Sequence, residues 1–468
     1  MTNILTRCAH LDILATVPAE QRLSLALEAV KVLEEEFHYE KQPLTVAWID
    51  NALADIQDYL SDQLDTVLHH PDFQALEASW RALETLCQTL DNTQNAQIWL
   101  WSVSKEALKQ DFLNHPWQQS HLYRHTYTQE FDMPGGEPYA AIITQFSFEL
   151  TEMPFLNNMA HVAAISHCPL ISNVESSFFQ KKSFAEVITN PHFEAIFDKA
   201  DYIYWKNFRQ SEQARYVGLC LPRIIQRTPY GVQQACKSFS YLETTNTHSD
   251  YLWGYASFAF AHNLLKSFQQ DGWAVNIRGP ESGGRVDKLP LPTFLAHQGV
   301  EMKIPTEVVI SESQEITFSR EGFIPLSYYK NRSYACFFSA HSTKTPDEYQ
   351  EDGATANSRL NIRLPYVFLA SRLGHYLKVM QRENIGSRQD ALEIERRLNQ
   401  WLKSLMTKMP DPTADQMAQY PLKEGKIQVH PVLDNPGYYT VSLYAVPHFQ
   451  IEGLDVQLYL VSQLSKKE

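Results

Sequence analysis

The chain has 468 residues with 44% hydrophobic and 12% aromatic content, enough for a large buried core and long enough for two or three domains. A formal net charge of -14 and a pI near 5.7 argue against a nucleic-acid binder, since neutralising phosphates requires a basic surface. Met1 to His10 holds no apolar signal-peptide core and no run approaches a membrane span, so the expected compartment is the cytoplasm, without direct membrane insertion.

Pro18 to Phe37 reads as an amphipathic helix: Leu23, Ala26, Leu27, Val30, Leu33 and Phe37 recur at helical spacing behind Pro18. Glu34 to Glu36 oppose the dipole at its end, so that end frays or meets a basic partner. A second helix spans about Thr45 to His69, with the stripe Ile49, Leu53, Ile56, Leu60, Leu64 and Val67. The stripe packs either on a partner or on this chain's own body. A third helix follows Pro71 with Phe73, Leu76, Trp80, Leu83 and Leu86. Three helices before any strand predict a helical N-terminal region over residues 1–90.

A mixed α/β body is expected over residues 91–425, with room for two subdomains. Strands are predicted at Ala96–Val103, Tyr139–Phe148 (after the Gly135-Gly136 turn), Leu170–Asn173, Trp273–Ile277, Thr306–Ile310, Phe323–Leu326 and Tyr334–Phe338. Helices are predicted at Phe155–His167, Ser183–Ile188, Asp201–Tyr216, Tyr251–Gln270, Arg359–Arg382 with a break near Pro365, and Ala391–Lys408. No internal repeat and no low-complexity tract interrupts them.

Residues 426–468 read differently. Lys426–His430 alternates, and Asp434-Asn-Pro-Gly437 has turn chemistry. Tyr439, Val441, Leu443 and Ala445 share one strand face, and Val456, Leu458 and Leu460 share one face of a last strand. A long apolar edge strand at a terminus is an aggregation hazard unless another chain supplies its neighbour.

Chemical motifs are weak. Arg278-Gly-Pro-Glu-Ser-Gly-Gly284 lacks the Lys-Ser/Thr pair of a phosphate loop, and Glu281 would repel phosphate, so it reads as a structural turn. Ser282 is not in a GxSxG elbow, and His161, His167 and His375 lack metal-ligand spacing. The six cysteines (Cys8, Cys87, Cys168, Cys220, Cys236 and Cys336) form no CxxC pair and read as small packed hydrophobes. Arg209, Arg215, Arg223 and Arg227 alternate with Trp205, Phe208, Tyr216 and Tyr230. That mixture suits either single-stranded nucleic acid or ion pairs with Glu212 and nearby acids, and the acidic chain favours ion pairs. No catalytic, cofactor or metal residue is assigned.

A resemblance adds to this. Asp72-Phe-Gln-Ala-Leu-Glu-Ala-Ser-Trp-Arg81 resembles a helix signature of the large subunit of the type VI secretion contractile sheath (the TssC/VipB family). Further segments match it in order: Gly136–Tyr139, Trp205–Glu212, Ala214–Gly218, Leu221–Arg223, Pro229–Gly231, Asn276–Gly284, Gly322–Leu326, Ala354–Asn357, His375–Met380, Asn435–Tyr439, Val446–Gln450 and Leu460–Ser462. The match runs from about Leu44 to the C-terminus, which makes chance a poor explanation. Trp80, Arg81, Trp205, Arg209, Arg215, Arg223, Arg278 and Glu281 are the motif residues expected in its core or interfaces.

The resemblance implies a structural subunit and no enzyme: a heterodimer with a small sheath subunit (TssB/VipA-like), polymerised with copies of itself around an inner tube of ring protein (Hcp-like). It also implies assembly on a baseplate and recycling by a ClpV-type AAA+ unfoldase. The family's C-terminal hairpin is shared between protomers, which maps onto Tyr438–Gln450 and Leu454–Leu464, with Tyr439, Val441, Leu443, Val456, Leu458 and Leu460 as inter-protomer strand residues. Met1–Phe37 departs from the longer N-terminal extension of other members, where unfoldase recognition has been placed. Linkers at Pro421–Gly425 and Glu452–Gly453 are expected to absorb rotation during contraction. An α/β enzyme, or a sheath of another contractile machine, are the competing readings.

Overall fold

The computed structural model describes residues 31, 46–90, 96–190, 193–231, 241–296, 299–350, 352–383, 390–409, 411–431 and 439–448. The chain divides into two compact units, residues 1–74 with 229–251, and residues 75–228 with 252–468. The helix predicted over Pro18–Phe37 lies outside the described residues, apart from Lys31, which is helical.

In the smaller unit, helix α1 (Val46–Leu68) follows the apolar period read from the sequence. Its stripe is open: Leu53, Leu64 and Val67 are exposed, while Leu68 is buried. The segment 241–251 lies against its C-terminal end. There the Tyr241 hydroxyl donates to Asp65, and His69 Nε2 stands 3.3 Å from Glu243 Oε1. Glu243 Oε2 also accepts from the Tyr230 N–H at 2.8 Å. Helix α2 (Pro71–Thr89) opens on proline, whose missing N–H costs nothing in a first turn; Ala78, Ala82 and Leu86, which it buries, belong to the larger unit.

The larger unit is built on a six-stranded sheet. Its strands are β1 (Ile142–Phe148), β2 (Leu170–Val174), β3 (Val217–Leu221), β6 (Arg285–Val286), β9 (Ile324–Tyr328) and β10 (Ala335–Phe337), in the order β1-β2-β3-β9-β10-β6. The first four are parallel, and β10 and β6 complete the sheet antiparallel. Two short pairs, β4 (Ile224–Ile225) with β5 (Trp253–Gly254) and β7 (Thr293–Ala296) with β8 (Gly299–Met302), stand outside it. Parallel strands require crossovers, and helices supply them: α3 (Lys105–Asn114) precedes the sheet, and α4 (Met153–Ile165) joins β1 to β2. Next come α5 (Phe184–Ile188), α6 (Ile203–Gln210), α7 (Ala256–Asp271), α8 (Glu312–Arg320), α9 (Asp352–Asn361) and α10 (Leu364–Glu383).

Both faces of the sheet are covered, and the alternation within single strands shows it. Leu170 of β2 and Val217, Leu219 and Leu221 of β3 enter one core with Leu156 and Ala160 of α4 and Phe208 of α6. Ile171 and Cys220, on the opposite faces of the same strands, enter a second core with Phe260 of α7 and Phe368 of α10. Asn173 ties β2 to the start of α7 by accepting from the Ser257 N–H at 2.9 Å and donating to its hydroxyl at 2.9 Å. Three cysteines, Cys168, Cys220 and Cys336, are buried as expected, whereas Cys87 is exposed; Cys8 and Cys236 lie outside the described residues.

Several sequence expectations are corrected. Ala96–Val103 is not a strand. Trp273–Ile277 and Thr306–Ile310 are not strands either, beyond a single bridge from Thr306 to Ile224. Their apolar residues reflect burial of connecting segments: Trp273 and Val275 reach one core, Ile277 a second, and Val308 and Ile310 a third. Asp201–Tyr216 is not one helix; α6 stops at Gln210, and tight 3-10 turns flank it. The break predicted near Pro365 is present, with α9 ending at Asn361 and α10 starting at Leu364.

His375, on α10, is a buried histidine that serves packing. Its Nε2–H donates to the Ser166 carbonyl at 3.0 Å, and its ring lies 5.7 Å from that of Phe131 and 6.5 Å from that of His167. Burial pushes its pKa down to about 4 from an ordinary 6.5. Between those values the unfolded chain binds a proton that the folded chain refuses, so stability falls as pH drops from 6.5 to 4. One such shift is worth about 3 kcal/mol. His375→Gln keeps a donor for Ser166 and should flatten the pH dependence of the urea midpoint over that window; an unchanged slope would count against this assignment.

Candidate assembly site

The C-terminal hairpin stands on its own third core. Strands β11 (Leu422–Pro431) and β12 (Tyr439–Pro447) pair antiparallel from Leu422 opposite Pro447 to Pro431 opposite Tyr439. Helix α11 (Ala391–Ser404) lies against β11, followed by the short α12 (Ala414–Gln419). Leu422, Ile427 and Val429 bury into a cluster with Leu398 and Leu402 of α11 and Leu373 and Leu377 of α10. Val441, Leu443 and Ala445 pack half-buried against the same cluster, while Tyr439 and Tyr444 are exposed. The turn at Asn435–Gly437 and the last-strand residues Val456, Leu458 and Leu460 lie outside the described residues.

The two outer edges of this hairpin differ. On β11, Asn399 of α11 accepts from the Ile427 N–H at 2.9 Å and donates to the Ile427 carbonyl at 2.7 Å. Glu395, one turn earlier, accepts from the Val429 N–H at 3.0 Å. Side chains of α11 therefore occupy the hydrogen-bonding groups that another strand would use.

The same bonds fix the polarity of β12. Ile427 and Val429 direct their main-chain groups away from β12, so their partners Leu443 and Val441 direct theirs away from β11. Tyr439 and Ala445 follow by alternation. Among the described residues no strand pairs with this outer edge of β12. Tyr439, Val441 and Leu443 were selected from the sequence by side-chain face; these residues carry the outward N–H and C=O groups. The apolar side chains of Val441 and Leu443 hold β12 to its own body, and their main-chain groups face outward.

The base of the hairpin is fixed. The Leu422 N–H donates to the Leu405 carbonyl at 3.3 Å, and the Thr407 N–H donates to the Leu422 carbonyl at 3.2 Å. His448 is held by Pro421, by the Tyr366 hydroxyl at 3.1 Å and by Thr407 Oγ1 at 3.1 Å from its Nε2. The flexible linker expected at Pro421–Gly425 is thus overturned: the strand begins at Leu422, which is fully buried. Gly425 is a packing residue, since a Cβ there would stand 2.8 Å from Leu402. The linker expected at Glu452–Gly453 lies outside the described residues.

The remaining motif residues do not converge on one site. Trp205 is fully buried and stacks on Phe323 at 5.4 Å between ring centroids. Arg209, buried beside it, donates to the Thr343 and Arg320 carbonyls and to Glu321 at 2.7 Å. Arg215 pairs with Glu212 at 2.8 Å, as the sequence suggested, and Glu212 also holds the buried Lys344 at 2.9 Å. That ammonium keeps the Glu212 carboxyl below its usual range. Arg223 grips Glu307 with two nitrogens at 3.0 and 2.9 Å.

Arg81 and Arg227 share Glu77, each at 2.7 Å, while Trp80 on the same helix is exposed. Burial raises the Glu77 carboxyl, and the two guanidinium groups outweigh it, leaving it lowered. Arg278 is buried and Glu281 exposed in the glycine turn. That turn is knitted to β10, with Gly279 N–H on the Phe337 carbonyl at 2.7 Å and Phe337 N–H on the Gly284 carbonyl at 2.9 Å. Gly284 has no room for a side chain, since a Cβ would stand 2.4 Å from that Phe337 carbonyl oxygen.

Residues 50–344 match the VipB family model, described as EvpB/VC_A0108, tail sheath N-terminal domain, and residues 353–464 match its companion VipB_2, the tail sheath gpW/gp25-like domain. The chain belongs to this tail sheath family. A curated relative, the type VI secretion system sheath protein TssC1 of Pseudomonas aeruginosa, is 36% identical over 431 residues, covering 90% of this chain and 86% of that protein. Two solved structures are also similar. One is a chain of the anti-feeding prophage baseplate (TM-score 0.39, 11% identity, 80% of this chain and 85% of that one). The other is the sheath complex of the extracellular contractile injection system PVC in its contracted state (TM-score 0.34, 8% identity, 64% and 68%).

In this tail sheath protein the closed edge of β11 makes a direct prediction. Asn399→Leu keeps the side-chain volume but leaves the Ile427 N–H and C=O unpartnered, which should cost about 1–3 kcal/mol in urea unfolding. Unchanged stability would show that α11 does not guard the edge.

Proposed function

We propose that this chain is the large structural subunit of a type VI secretion contractile sheath. It pairs with a small TssB/VipA-like subunit, polymerises with copies of itself around an Hcp-like inner tube on a baseplate, and contracts to propel that tube. Membership of the tail sheath family supports the sheath role, and the observation that carries the assembly mode is the outer edge of β12, which no strand among the described residues covers, on a hairpin that is otherwise pinned. A strand from a neighbouring copy meets four residues, Tyr439 to Ala445 in alternation, whose main-chain groups face outward.

The work is mechanical, with no reaction in this chain. A two-sided sheet with ion pairs buried at its margins moves as a rigid body, and a polymer of such bodies passes from a strained to a relaxed packing by rotating them about joints that stay connected. Main-chain hydrogen bonds suit such joints, because they hold a neighbour without depending on particular side chains. With Leu422–Gly425 held in β11 and the Pro421 carbonyl bonded to the His448 N–H, the compliant segment is assigned beyond His448, at the predicted Glu452–Gly453 linker. We divide the labour as a helical region over residues 1–90, a sheath-wall body over 91–425 and joining strands over 426–468. Val456, Leu458 and Leu460 form the strand offered to the next copy. Recycling by a ClpV-type unfoldase and a cytoplasmic location belong to the same reading; no helix among the described residues is long and apolar enough to cross a membrane.

Two variants test it in co-expression with the small sheath subunit. Leu443→Pro removes an outward N–H and spares the ladder to β11, and deletion of Leu454–Glu468 removes the donated strand. Each should leave a soluble heterodimer and abolish tubes in negative-stain images. Tubes of normal length and number from either variant would refute the joint.

A further inference from the structure

Ala96–Val103 has the composition of a strand and pairs with no strand among the described residues. The run Gln97-Ile-Trp-Leu-Trp-Ser-Val103 is rich in aromatic and β-branched residues and has no Gly, no Pro and no charge. Among the described residues no backbone–backbone hydrogen bond reaches residues 97–103. Its end is anchored: Val103 packs on the core that holds α4, and Ser104 caps α3 by accepting from the Ala107 N–H at 3.1 Å. Trp101 lies 5.1 Å from His125. The rest projects, with Trp99 69%, Leu100 65% and Trp101 40% exposed. Three consecutive side chains thus leave roughly 400 Å² of apolar surface in water, on the scale of the largest patches of ordinary monomers.

Exposed strand-like segments are normally guarded by charge, proline or a bulge, and this one has none of these. We infer that Ala96–Val103 is the docking strand for a separate, permanently bound polypeptide that contributes an uncharged, apolar β-strand. This rests on the heterodimer reading above, in which that polypeptide is the small sheath subunit.

A second copy of this chain fits the segment less well. Contacts between copies form only when a subunit joins the growing sheath, so a tryptophan patch reserved for them would remain in water until then. A partner present from synthesis covers the patch from the start, as in obligate complexes.

The test is amide hydrogen exchange of the full chain co-expressed with the small sheath subunit. Residues 97–103 should exchange at least 100-fold more slowly than an unstructured peptide, and Trp99→Glu with Trp101→Glu should weaken the heterodimer at least 100-fold while the Leu443→Pro heterodimer stays intact. An intact heterodimer with fast exchange at 97–103 overturns this inference alone. Failure of the unaltered chains to pair at all overturns the heterodimer reading, and this inference with it. Protection found in a complex whose native mass is two copies of this chain, or lost on deleting Leu454–Glu468 from the heterodimer, assigns the strand to another occupant and also overturns it.

Discussion

The contact between Asn399 and the Ile427 main chain closes one edge of the C-terminal hairpin, and the proposed joint between copies depends on that closure. A two-stranded hairpin has two free edges, and each would recruit a strand without selection. By filling one edge with side chains of its own helix, the protein leaves, among the described residues, one edge on which the proposed joint can form. That restriction separates a polymer with defined geometry from an aggregate. The bonds to Ile427 and Val429 also set the phase of the ladder, so the outward groups of β12 fall on Val441 and Leu443.

Everything else in the larger unit makes the hairpin's support stiff. The sheet is packed on both faces, and alternate residues of β2 and β3 serve different cores. The arginines of the family motifs spend their donors on carboxylates and carbonyls within the unit, as Arg209 does with Glu321, Thr343 and Arg320, and Arg223 with Glu307. Such groups have little tolerance for displacement, because a buried charge that loses its partner is costly. In the proposed sheath, a stiff body with a fixed hairpin passes rotation on to the next copy without absorbing it.

How much of this was legible in the sequence varies by element. Helix α1, whose apolar period is complete in the sequence although its stripe stays open, and the alternating strands of the hairpin, buried on one face, were readable. Strand β3 was missed: Gly218 interrupts its apolar run, and the structure needs glycine there because a Cβ would stand within 2.9 Å of Ile171, Ile324 and Leu364 side chains. Trp273–Ile277 failed in the opposite sense, since a connecting segment buried by two cores looks like a strand. At the assembly site, side-chain parity pointed to Tyr439, Val441 and Leu443. The closure of β11 could not be read, because it depends on residues 28 and 34 positions away along the chain.

The proposed joint depends on what occupies the outer edge of β12 in the assembled state. A cryo-EM reconstruction of tubes made from this chain and the small sheath subunit, at a resolution that traces main chain, measures it directly. The proposed joint requires a strand from another copy hydrogen-bonded to Val441 and Leu443. An edge left in solvent, or one covered by the same chain's residues 454–464, would contradict it.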